Sequence, residues 1–262
     1  MAKRKRPSKQ PLPLRAYGRD LLDILALGAW GIMLVKYWIT GKLYVLLHPD
    51  YQWLSNTAAV VLLLMATFKL LQLVVKLKQP LPTVPGPSHF MLLPAKWSSF
   101  LLLAVAIFGL IYTPRAFASD TALQRGVSDT LSLTRSQPQR FVRQTQPEER
   151  TIIDWVRTLN VYPEPDAYTD QGVNVKGFVI HPEEWPDDYL MISRFVLTCC
   201  AADAYPVGLP VKVIGSRKAY PVDGWLEVTG NMMTETLNDR RQLVIKPIDL
   251  ENIDEPRNPY EY

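Results

Sequence analysis

Cys199 and Cys200 are the chain's two cysteines, they are adjacent, and Asp203 follows three residues later. Two thiols and a carboxylate make a donor set for a soft or borderline metal ion, with His181 as a candidate further ligand. The spacing is not that of a familiar metal site. There is no Cys-x-x-Cys and no histidine pair. The cysteines end an apolar, β-rich run, and successive side chains of a strand point to opposite faces. On that geometry one thiol packs into a core and the other fits a strand end, so a structural pair is expected. A tight turn starting at Cys200 is the one local geometry that brings both sulfurs to one side, with Asp203 as third ligand. A disulfide between neighbouring cysteines closes a strained ring and is not expected. Arg194 and Asp203 are expected to pair and order this corner.

The same sequence offers little to catalysis. It has no Gly-rich phosphate loop, no nucleophile elbow and no His-Glu-x-x-His. His48, His89 and His181 are scattered, so no enzyme activity is expected.

The elements around the cysteines read as β-structure. Val173, Val175, Gly177 and Val179 alternate with other residues. Runs at 190–199, 210–214, 225–232 and 242–246 follow at spacings that suggest a small five-stranded barrel of OB-like type. Its core candidates include Phe178, Phe195, Val213 and Trp225. Before the strands, Ile152, Ile153, Val156 and Leu159 form one apolar helical stripe. Thr145 and Glu148 are read as the capping box that starts this helix. Residues 114–146 are rich in Ser, Thr, Gln and Arg and read as a linker, with a short helix near 121–126.

The N-terminal half differs in kind. Three apolar runs, about residues 22–39, 54–75 and 97–112, are candidate transmembrane helices. The first 118 residues carry 14 Lys/Arg against 3 Asp/Glu, and the last 144 carry 15 against 22. An acidic β domain is a poor match for nucleic acid, which needs clustered Lys/Arg. Lys3, Arg4, Lys5, Arg6, Lys9, Arg15 and Arg19 precede the first run, and Lys42 is the one basic residue between the first two. The basic flank keeps the N-terminus cytoplasmic, and three crossings put the C-terminal domain outside. Asp23 and Lys69 lie within spans of opposite direction, towards the same face; independent snorkelling of each is expected, and a pair between them is the alternative. Lys36 is expected to snorkel to a membrane face.

The expected architecture is an α+β membrane protein: a basic N-terminus (1–20), a three-span anchor (21–113), a linker (114–146) and an OB-like β domain (147–262). Several segments resemble the YcgQ-like family of bacterial membrane proteins. They are Tyr44-Val45-Leu46-Leu47-His48-Pro49, the run from Arg194 to Ala204 containing both cysteines, Trp225-Leu226-Glu227-Val228-Thr229-Gly230, and Pro256-Arg257-Asn258-Pro259-Tyr260. The resemblance implies an accessory subunit of a two-component permease in the plasma membrane, working beside a separate multi-span permease subunit that resembles metalloid-efflux carriers. It carries over no catalytic or substrate residues. The alternative is a stand-alone extracytoplasmic metal or redox sensor that uses Cys199, Cys200 and Asp203.

Overall fold

A computed structural model describes residues 14–78, 95–127 and 146–262. Lys3, Arg4, Lys5, Arg6 and Lys9, together with His89 and Thr145, lie outside the described residues. Two compact units emerge: Met1–Leu43 with Asp50–Thr113, and Tyr44–Pro49 with Pro114–Tyr262.

The first unit contains three helices, α1 (Leu14–Ile39), α2 (Gln52–Lys78) and α3 (Ala95–Ile111). Two helical stretches, Tyr17–Ile39 and Pro49–Lys78, are long and apolar enough to cross a membrane. The third expected span is shorter: α3 has 17 residues, about 25 Å at 1.5 Å per residue, against a hydrocarbon core of about 30 Å. The residues that α2 buries are Ala59, Ala66 and Leu73, one seam at seven-residue spacing. Small side chains on such a seam let backbones approach closely, and Gly31 of α1 lies against Leu63. The remaining apolar surface of α2 and α3, including Leu64, Phe68, Leu71, Phe100 and Phe108, is exposed.

Polar contacts fix the relative direction of the three helices. Lys69 Nζ of α2 lies 2.9 Å from Asp23 Oδ2 of α1, and Ser99 Oγ of α3 donates to Asp23 Oδ1 at 2.5 Å. Thirteen residues further along α1, Lys36 Nζ donates to the Leu110 carbonyl at 2.6 Å, and the Tyr37 hydroxyl donates to the Gly109 carbonyl. Asp23 and Lys69 thus form the pair that was the alternative to independent snorkelling. Lys36 binds a carbonyl at the open C-terminal end of α3, where the helix dipole favours a cation. Thus α3 runs parallel to α1, and α2 opposes both.

The second unit is a closed barrel of five strands: β1 (Gly172–Ile180), β2 (Tyr189–Val196), β3 (Tyr205–Lys212), β4 (Trp225–Leu237) and β5 (Arg240–Ile253). The cycle runs β1-β2-β3-β5-β4-β1 and is antiparallel throughout, except that β3 meets β5 in parallel at Val211 and Ile245. Alternate residues fill the interior: Val173, Val175 and Val179, then Leu190 and Ile192, then Val207, Leu209 and Val211, then Leu226, Val228 and Met232, then Leu243 and Ile245. The expected strands are all present, but β3 starts earlier and β4 and β5 are longer. A sixth strand that the sequence reading did not anticipate, β6 (Tyr260–Glu261), pairs in parallel with β2.

Two short helices complete this unit, α4 (Ser119–Arg125) and α5 (Ile152–Val161). The stripe of α5 joins the barrel core, with Ile152, Ile153, Trp155 and Val156 buried and Leu159 packed against them. The capping box is Thr151 with Asp154, not the expected Thr145 with Glu148. Pro147–Glu149 is instead a separate 3-10 turn, and Arg150 beyond it is extended. The Thr151 hydroxyl, next to the first helical residue, accepts from the Asp154 amide, as a cap must.

Phe178 and Phe195 are buried, but in a second cluster on the outside of the barrel. Their rings stack at 5.6 Å under Val45, Phe117, Ala122 and Tyr260. Val213 is in the barrel core, and Trp225 is half-buried beside the second cluster. Residues 116–127 are therefore not a free linker: Phe117 lies 5.3 Å from Phe195, and the Ser119 amide donates to Asp223 Oδ1 at 2.7 Å.

Candidate dithiol–carboxylate site

Strand β2 ends at Val196, three residues before the cysteines. The chain then turns, and Ala201–Asp203 forms a single 3-10 turn with Cys200 preceding it in extended conformation. The opposite-face expectation fails because neither cysteine is on the strand. Cys199 is exposed and Cys200 is half-buried, so neither packs in the core. Their sulfurs lie 3.6 Å apart, and the two Sγ atoms with an Asp203 carboxylate oxygen all lie within 4.8 Å of one another.

Asp203 holds the corner together. Its Oδ2 accepts from the Cys199 amide at 2.9 Å, and its Oδ1 accepts from the Cys200 amide at 3.3 Å and the Thr198 amide at 3.4 Å. The other side of the corner is held by Tyr44–Pro49. Leu47 and Cys200 form an antiparallel bridge. The His48 amide donates to the Cys199 carbonyl at 3.1 Å, and the Ala201 amide donates to the Leu46 carbonyl at 2.9 Å. The His48 ring stands edge-on to Tyr262 at 4.5 Å. The backbone is thereby fixed on both flanks, while Cys199 is exposed and Cys200 half-buried.

The charges follow from this packing. The Asp203 carboxylate beside Cys199, together with the Cys200 thiol, pushes the Cys199 thiol up to about 11. Burial opposes ionisation of Asp203, but the Cys199 thiol and the amides of residues 198–200 outweigh it and hold the carboxyl below its usual range. The resting pair is a protonated thiol over an ionised carboxylate. Thiolate is the nucleophilic and readily oxidised form, so the raised value at Cys199 lowers that form's share at neutral pH.

The expected Arg194–Asp203 pair is not formed. Arg194 instead donates to the carbonyls of Asn258 and Tyr260 at 2.7 and 3.2 Å and lies 3.9 Å from Glu261. A second Glu261 oxygen accepts from the Ile153 amide at the start of α5, at 2.7 Å. Asp203 meanwhile accepts from the amides of its own turn. His181 is not in the donor cluster. Burial holds its imidazole pKa below the usual value, and Arg217 adds to this.

Sequence reasoning missed residues 46–48 as a wall of the site and the tail as the partner of Arg194. Both contacts join segments far apart in the chain, and neither leaves a local periodicity.

Fold and site define a small closed-barrel domain with an exposed dithiol–carboxylate corner, in a chain that also carries a bundle of apolar helices. Residues 145–262 match the family described as the DUF1980 C-terminal domain. No curated protein matches the chain.

Proposed function

We propose that this chain is a membrane-anchored accessory subunit of a two-component permease, with N-terminus in the cytoplasm and barrel domain outside. The carrying observation is that α3 matches α1 in depth. Asp23 meets Ser99 near one end, and Lys36 meets Leu110 near the other, about 20 Å apart at 1.5 Å per residue. If α1 crosses the bilayer, α3 lies at the same depth beside it, and its shortness is met by local thinning or by a partner. The exposed apolar faces of α2 and α3 then face lipid or the transmembrane helices of the permease subunit. The cyclic strand order supports an OB-like reading of the barrel, and its acidic charge supports a partner other than nucleic acid.

A second reading, a stand-alone extracytoplasmic metal-binding sensor, is favoured by the clustered thiols alone. Detergent purification with identification of co-purifying membrane proteins separates the two. A stoichiometric multi-span partner supports the accessory subunit, and a chain that purifies alone supports the sensor. Topology is tested by fusing reporters at Tyr262. An export-dependent reporter should be active there; an active cytoplasmic reporter overturns the three-crossing arrangement.

A further inference from the structure

We propose that Cys199, Cys200 and Asp203 form a loading site for a thiophilic divalent cation of the zinc type, held by two thiolates and one carboxylate with the fourth position open. Metal–sulfur bonds of about 2.3 Å in a tetrahedral site place two sulfurs about 3.8 Å apart. The sulfurs here are 3.6 Å apart, close to that spacing, and an Asp203 oxygen within 4.8 Å of both needs only a side-chain adjustment to join them. Two sulfur donors select against magnesium and calcium, which take oxygen ligands.

The surroundings make this a preformed site. Amides of residues 198–200 bind Asp203, the amide of Asp203 binds the Cys200 carbonyl, and residues 46–48 bind the remaining flank. Binding therefore orders little backbone, which removes a main cost of capture. A carboxylate has about four lone-pair positions, so Asp203 keeps its amide bonds while offering one to the metal. On binding, each thiol releases its proton to solvent as the metal–sulfur bond forms.

Openness decides the role. Structural zinc sites are closed by four protein ligands. Among the described residues this one gathers three, with Cys199 exposed. Water or a further donor completes it, and the ion can be passed on. On the accessory-subunit reading, the cargo class is a thiophilic cation collected at the outer face. Binding itself does not depend on that reading. Metal capture without a co-purifying permease leaves the site standing and removes the transport role; a permease partner without metal capture does the reverse.

The test uses the untagged full chain, reduced, in detergent. Zinc and its spectroscopic surrogate cobalt are titrated, and the bound metal is counted. One ion per chain is expected, with thiolate-to-cobalt charge-transfer absorption. In the parent protein, zinc should protect both cysteines from alkylation, read by mass spectrometry. Since the chain has 2 Cys, the readout is unambiguous and needs no variant. Cys199→Ser and Cys200→Ser should each abolish the charge-transfer band, and Asp203→Asn should weaken affinity about 10- to 100-fold. Absence of one-to-one binding, lack of thiol protection, or a band that survives either serine substitution overturns the proposal.

Discussion

At the scale of single residues, Asp203 governs the site. It caps three amides and keeps the neighbouring thiol protonated. In the metal-free protein, alkylation of Cys199 should be slow at neutral pH and rise towards pH about 11, because only thiolate reacts. Asp203→Asn removes the negative charge but retains a carbonyl acceptor. It should speed alkylation of Cys199 at pH 8, measured by stopped-time labelling; an unchanged rate would show that the carboxylate does not set the thiol's acidity. Phe195 illustrates a different residue-scale effect. It is fully buried between Phe178, Phe117 and Tyr260, so Phe195→Ala should cost about 3–5 kcal/mol in equilibrium unfolding.

At the scale of elements, β4 and β5 bear the longest pairing, and a register shift between Thr229 and Gly230 bends it. A Cβ at Gly230 would overlap the Lys246 carbonyl oxygen and crowd the Pro247 Cα. Both are backbone atoms, so relief requires moving the strand. Gly230→Ala should destabilise the protein by about 1–3 kcal/mol, read as a lowered thermal midpoint. Strands β2, β3 and β4 are also tied by side chains. Lys212 Nζ lies 2.6 Å from Glu235 Oε1, and the Tyr189 hydroxyl donates to the other Glu235 oxygen. Burial opposes ionisation of Glu235, but these bonds outweigh it and hold its carboxyl below the usual range. A depressed folded pKa gives stability that is present above the unfolded value and lost as pH falls through the folded one. Glu235→Gln should therefore be less stable than the parent at pH 7, and the difference should shrink below about pH 4.

At the scale of the whole chain, the barrel unit is assembled from three separated stretches. Residues 44–49 and 114–127 cover the outer face of β1 and β2, and the tail supplies β6. Removing residues 256–262 would strip Tyr260 from the second cluster, unpair Arg194 and free the β2 edge. An exposed edge strand invites association. The truncated chain should aggregate or lose β-signal in circular dichroism at temperatures where the full chain is intact, and undiminished stability would refute the role given to the tail. The helical unit depends on a different device. Asp23, Lys69 and Ser99 join all three helices through one carboxylate. Such contacts fix helix direction more than they add stability.

Much of this was legible in the sequence because it is periodic. Alternation at residues 173–179 and 226–232 depends only on which side of a strand faces the core. The helix at 152–161 shows its stripe for the same reason. Opposite charge in two antiparallel apolar helices allowed Asp23 to pair with Lys69 but did not require it, and helix packing decided it. Other features followed from tertiary contact alone. The run at 190–197 is apolar at nearly every position because both faces of β2 are covered, and covering segments from residues 44–49 and 114–127 have no signature within β2 itself. The partner of Arg194 was misassigned to Asp203 because the true partners are more than 60 residues away. The cysteines ended a β-rich run, so local propensity placed them on the strand. The bridge to Leu47 and the amide bonds to Asp203 turn the chain after Val196. Residue type determined which donors were present; long-range backbone pairing determined that both sulfurs face one side.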